Sequence, residues 1–169
     1  VKEYARTLHM KDGILERKLT WTASSGKMTE IHIFRLVSFA RKNIMAIRYQ
    51  VRPVNYAGTV EFVSKMQADV ENHTRKTNPL IDYGPYGKHL AVKELKAEDN
   101  YLLHKGKVIH SGLSMACGSL TKCEGVIKNS EVLEEDASLT YELSVEEGKT
   151  YVFEKMIGYT CDFDIAEDN

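Results

Sequence analysis

The sequence predicts an all-β fold of antiparallel strands, a sandwich or a barrel. Three observations carry that expectation. Apolar and polar side chains alternate with a period of two over most of the chain, turn signals built on Gly, Asn and Asp separate the alternating runs, and no stretch of ten or more residues holds a 3.6-residue period. With 169 residues, 43% of them apolar, the chain is long enough for one domain with a core of its own.

The elements follow in order. Asp12-Gly13 is a turn signal, because Gly accepts positive φ without cost and Asp bonds the backbone of a turn. It opens a strand from Ile14 to Thr22, with Leu15, Arg17, Leu19 and Trp21 on one face and Glu16, Lys18 and Thr20 on the other. Ser25-Gly26 turns the chain into a return strand over residues 28 to 39. Its apolar groups fall on both faces, Ile31, Ile33, Val37 and Phe39 against Phe34 and Leu36, as in a strand covered on both sides by a second layer or a partner. The clearest strand carries Met45, Ile47, Tyr49 and Val51 on one side and Ala46, Arg48, Gln50 and Arg52 on the other, and ends at Pro53. The next, Thr59 to Ala68, places Val60, Phe62 and Met66 inward.

Residues 69 to 88 break this rhythm. Asn78-Pro79 and Tyr83-Gly84-Pro85-Tyr86-Gly87 supply turn formers without a period, so a long excursion loop is expected, of a length that often serves a binding surface. Strands resume at His89 to Lys96 and Asn100 to His104, and after a Lys105-Gly106-Lys107 turn at Ser111 to Cys123. Asn129 to Ala137 is acidic and reads as a surface connection. A last hairpin runs from Leu139 to Val145, turns at Glu147-Gly148 and returns over Thr150 to Thr160.

Lys plus Arg total 23 against 24 Asp plus Glu, which gives no electrostatic case for nucleic acid or an anionic membrane surface. No apolar run approaches the roughly 20 residues of a membrane-spanning helix, and no basic-then-apolar leader opens the chain, so the expected compartment is cytoplasmic. Cys117, Cys123 and Cys161 are expected as free thiols, since the first two would lie roughly 20 Å apart on one extended strand. The chain begins at Val1 and ends on an acidic tail, as a piece of a longer protein would.

Chemistry-bearing patterns are sparse. None of the six histidines lies two to four residues from another His or a Cys, so no metal site is expected, and no Cys-x-x-Cys, Gly-x-Ser-x-Gly or Gly-rich phosphate loop occurs. Sugar-bond cleavage needs a carboxylic acid of raised pKa, but Glu134-Glu135-Asp136, Glu146-Glu147, Asp162 and Asp164 occupy turn or tail contexts where water keeps them ionised. No catalytic group is expected. Lys155 shares a face with Tyr151, Phe153, Ile157 and Tyr159, where its stem packs on the rings and its head reaches the edge. Arg48 and Arg52 are placed to pair with acidic groups. The remaining candidates are Asn72, His73, Asp82, Tyr83 and Tyr86 of the excursion loop, because rings stack on pyranose faces and amides bond hydroxyls, as on a substrate rim.

The stretch Arg6-Thr7-Leu8-His9-Met10-Lys11-Asp12-Gly13-Ile14-Leu15-Glu16-Arg17, running through Thr20-Trp21 to Ser25-Gly26-Lys27, resembles the N-terminal β domain of glycoside hydrolase family 65. So do Arg35 to Ala40, Ala46 to Val51, Glu61 to Ser64, Ser111-Gly112-Leu113 and Glu147 to Lys155, so the resemblance spans nearly the whole chain and is looser from about 69 to 136. It implies an antiparallel β-sandwich over residues 1–161, part of a galactose mutarotase-like supersandwich with little or no helix, and the start of an interdomain linker at 162–169. It implies also that the domain precedes an (α/α)6-barrel catalytic domain of the same chain. The full-length protein would cleave an α-glucosidic disaccharide such as maltose, trehalose or kojibiose by inverting phosphorolysis, or by hydrolysis. Inorganic phosphate would be the co-substrate and no other cofactor is implied. The domain itself would be non-catalytic, serving homodimer association and shaping the active-site entrance. A free-standing carbohydrate-binding module and a purely structural assembly domain are the alternatives.

Overall fold

The computed structural model describes residues 3–72 and 87–165, apart from the side chains of Asn72 and Ile165. Thirteen strands and one short helix follow in order: β1 (Glu3–His9), β2 (Ile14–Thr22), β3 (Met28–Val37), β4 (Ile44–Pro53), β5 (Gly58–Gln67), β6 (Glu71–Asn72), β7 (Gly87–Lys88), β8 (Leu90–Glu98), β9 (Tyr101–Val108), β10 (Ser114–Lys122), β11 (Val126–Val132), β12 (Asp136–Val145), β13 (Tyr151–Cys161) and α1 (Asp162–Ile165). Eight strands form one sheet in the order β1-β2-β3-β4-β13-β10-β9-β8, and three form a second in the order β11-β12-β5. Strands β6 and β7 pair with each other, and all pairings are antiparallel. The expected all-β sandwich is what forms.

The local reasons are those of short turns and two-faced strands. Gly13, at φ +66°, closes the β1–β2 hairpin, and Gly26, at φ +80°, closes β2–β3. The register sets Leu15, Arg17, Leu19 and Trp21 on the same face as Ile31, Ile33, Tyr49, Val51, Tyr151 and Phe153. This is the inner face, because Phe153 stacks on Phe62 of the three-stranded sheet with ring centroids 4.0 Å apart, and Tyr49 meets the same ring at a tilt, 5.8 Å away. The core has two connected parts. One gathers Met66, Leu102, Cys117, Ala137, Leu139, Tyr141 and Ile157, and the other Leu143, Val145, Tyr151 and Phe153. The small sheet thus lies over β8, β9, β10, β13 and β4, and β1, β2 and the far end of β3 extend past it.

Several expectations are corrected. Lys105-Gly106-Lys107 lies inside β9 rather than in a turn. Space is tight at Gly106, where a Cβ would come 3.1 Å from His104 Nε2 and 3.3 Å from Met115 Sδ. The turn falls at residues 109–113, where Gly112 has φ +74°. Asn129 to Ala137 contains the end of β11 and the start of β12. Strand β11 is exposed at every residue and is held by its backbone ladder to β12, so no buried face stamps a period on it. Strand β1, not expected, pairs with β2 from Glu3↔Thr20 to His9↔Ile14 and is likewise exposed throughout. The return strand is expected to be covered on both faces. Among the described residues it is not: on its inner face Thr29 and Ile33 are buried while Arg35 and Val37 are exposed, and on its outer face Phe34 and Leu36 line an open apolar groove of about 440 Å³ with Ile14, Ala46 and Met156.

Candidate functional site

Of the five rim residues, Asn72 ends β6 and pairs with Gly87 through the backbone, while His73, Asp82, Tyr83 and Tyr86 lie outside the described residues. The base of the excursion is tied by Lys88, whose Nζ is 2.6 Å from Asp69 Oδ1 and 3.1 Å from Glu135 Oε1. Each partner favours the other's charged form. Lys88 is pushed up by Asp69 and then Glu135, and Asp69 is held down by Lys88.

A polar groove of about 570 Å³ lies on the outer face, lined among others by Lys18, Thr20, Glu30, His32, Gln50 and Arg52. Cross-strand neighbours build it: Lys18↔His32 and Thr20↔Glu30 between β2 and β3, and His32↔Gln50 and Glu30↔Arg52 between β3 and β4. Arg52 pairs with Glu30 at 3.0 Å, and farther along the same face Arg48 pairs with Glu154 at 2.6 Å, as their strand position implies. At the groove's edge Glu16 receives three partners. His32 Nε2 is 2.6 Å from its Oε1, Lys18 Nζ is 2.8 Å from the same oxygen, and His9 Nε2 is 2.6 Å from Oε2. Lys18, then His9 and His32, hold its carboxyl down at about 2. A carboxylate so fixed in its ionised form is the reverse of a general acid. In the sequence the carboxylate nearest His32 is Glu30, two residues away. The cross-strand register delivers it to Glu16 instead, and brings in His9 from seven residues away.

A second cleft, of about 280 Å³, opens between the sheets at the β5 edge, where Lys65, Met66 and Ala68 meet His104, Cys117, Ser119, Lys155 and Tyr159. Lys155 packs its stem against the core face and donates from Nζ to the Lys65 carbonyl at 3.2 Å; burial lowers its pKa. Burial also lowers His104 and raises the Cys117 thiol. His104 Nε2 and Ser119 Oγ are buried without a hydrogen-bond partner. Serine, imidazole and thiol are therefore near one another, yet among the described residues no carboxylate lines the cleft to orient the imidazole, and a neutral thiol is not a nucleophile.

The acidic runs serve local structure. Asp136 pairs with Lys65 at 2.7 Å, Asp162 accepts the Ser114 amide at 2.7 Å, and Asp164 caps the short helix by accepting the Cys161 amide at 2.8 Å. Among the described residues, every resolved carboxylate shift is downward, at Glu16, Asp69, Glu94 and Asp164. Cys117, Cys123 and Cys161 are free thiols, as expected. Among the described residues no group of three or more His, Cys, Asp or Glu is placed to hold a metal ion, and no helix is long and apolar enough to cross a membrane.

Comparison with known proteins places this fold among enzymes that act on disaccharides only by likeness of sequence and structure. An α,α-trehalose phosphorylase of Thermoanaerobacter brockii is 29% identical over 98% of this chain, and a kojibiose phosphorylase of the same organism is 31% identical over 92%. The chain spans about a fifth of their length, 22% and 21% respectively. A solved structure from the human microbiome, assigned as a kojibiose phosphorylase, superposes with a TM-score of 0.78 over 99% of this chain and 21% of its own, at 13% identity, a likeness of fold. The profile described as glycosyl hydrolase family 65, N-terminal domain, matches residues 1–169, and the chain belongs to that family.

Proposed function

We propose that this chain is the non-catalytic β domain of a longer enzyme that cleaves an α-glucosidic disaccharide with inorganic phosphate and inversion at the anomeric carbon. The observation that carries this reading is the family match over residues 1–169, together with relatives that are trehalose and kojibiose phosphorylases several times its length. The site chemistry agrees with it. Inversion needs a protonated carboxyl on one side of the glycosidic bond and the attacking group on the other, and the resolved carboxylate shifts here all favour ionisation. In this reading a helical-barrel domain of the same polypeptide supplies the acid. The β domain borders its entrance and joins subunits into a cytoplasmic homodimer. The test is an assay for phosphate consumption with trehalose, kojibiose and maltose. The 169-residue chain is expected to be inert, and the polypeptide extended beyond Asn169 to release β-glucose 1-phosphate. Turnover by the chain alone, or an extended polypeptide that liberates only free glucose, overturns the proposal.

A further inference from the structure

On β1, β2 and β3 the charges are sorted by face. Every carboxylate, Glu3, Glu16 and Glu30, and the lysine Lys18 belong to the outer face, while the inner face carries Arg6, Arg17 and Arg35 with no acid and no lysine. Arg6 and Arg17 are direct cross-strand partners, an arrangement that costs free energy when nothing neutralises it. Nothing described does. All three arginines are exposed, the guanidinium of Arg17 lies 5.2 Å from the centre of the Tyr4 ring, and among the described residues no carboxylate lies within 4 Å of any of them. Around them this part of the sheet, left uncovered by β5 and β12, exposes Tyr4 (57%), Leu8 (61%) and Trp21 (47%). Aromatic side chains and arginines without lysines are the composition of a protein interface centre rather than of a solvated surface.

We infer that the inner face of β1–β3 is a docking surface for a protein segment that presents apolar side chains interspersed with carboxylates. The apolar groups would cover Tyr4, Leu8 and Trp21, and the carboxylates would accept paired N–H donors from the guanidinium forks. A second copy of this chain applying the same patch is disfavoured, because a two-fold contact would set the arginines against one another. A bare polyanion would satisfy the arginines and leave the aromatic surface wet.

Trp21, the sole tryptophan, sits on the patch and reports on its occupation. The 169-residue chain is titrated with a synthetic extended peptide of alternating Leu and Glu, with Leu/Gln and Leu/Lys versions, and with poly-glutamate. The Leu/Glu peptide alone is expected to give a saturable blue shift of Trp21 emission, weakened by salt. Arg6→Ala/Arg17→Ala/Arg35→Ala should lower its affinity at least tenfold, and the matching triple lysine variant, which keeps the charge, should lose less. Four results overturn the inference: no shift with the Leu/Glu peptide, an equal response to Leu/Lys, an equal response to poly-glutamate, or unchanged affinity in the alanine variant. A blue shift that follows protein concentration alone, with a dimer in sedimentation, would assign the face to a second copy and overturn it too.

Discussion

Glu16 shows how a single side chain can tie a hairpin to its neighbour. Its two oxygens accept from groups on β1, β2 and β3, so its ionised form belongs to the folded state. The folded pKa, about 2, lies below the ordinary 4.5, so this contribution is fully present above the unfolded value and is lost as pH falls from about 4.5 toward 2. Glu16→Gln is expected to lower the melting temperature at neutral pH by a few degrees and to shrink its fall between those two pH values; melts of both proteins across that range check it. Parallel curves, offset by a constant amount, would contradict the coupling. Leu139, with none of its surface exposed, lies under the centre of the small sheet. Leu139→Ala should cost about 2–5 kcal/mol in denaturant unfolding, the lost transfer energy plus a cavity. Both side chains differ in how legible they were. The inward place of Leu139 follows from period-two alternation, whereas the Glu16 cluster depends on which residue of one strand faces which of another, and one chain's sequence does not encode that register locally.

Among the elements, β9 and β10 meet at an unusual contact. A Cβ on Gly118 would come 2.6 Å from the Tyr101 hydroxyl and about 3.1 Å from its ring, because the tyrosine lies flat across the glycine of the neighbouring strand. Gly118→Ala is expected to destabilise the protein by roughly 1 kcal/mol or more in the native background, and to be nearly neutral or stabilising in Tyr101→Ala, where the Cβ meets no ring. A double-mutant cycle by chemical denaturation reads the coupling, and additive effects would refute it. Strands with one face against the core, β4, β12 and β13, are read correctly from alternation. Strands β1 and β11 are exposed at all seven residues of each, so neither shows a face to read, and the Gly between two lysines in β9 looks like a turn because crowding by His104 and Met115 leaves no mark in the sequence.

At the scale of the molecule the two sheets are unequal, eight strands against three, and the larger one ends in a fully exposed edge strand, β1, while β5 bounds the smaller. Unpaired backbone groups along such edges template further pairing. Concentration-dependent self-association is expected in sedimentation velocity, and a proline placed within β1 should reduce it; a monomer at every concentration would contradict this. The sandwich class was legible because it depends only on period and turn chemistry. The excess of the large sheet over the small one was not, since it depends on which strands share a sheet.

One feature of the topology bears on how the chain assembles itself. Strand β13, the last of the described strands in chain order, lies in the middle of the large sheet, with β4 on one side and β10 on the other. Until it arrives, β1–β4 and β8–β10 have no common ladder. Synthesis therefore delivers two half-built sheets that wait, edges bare, for a keystone about a hundred residues downstream of β4. Such distant pairing makes acquisition of the native state slow and the nascent chain dependent on protection from its neighbours.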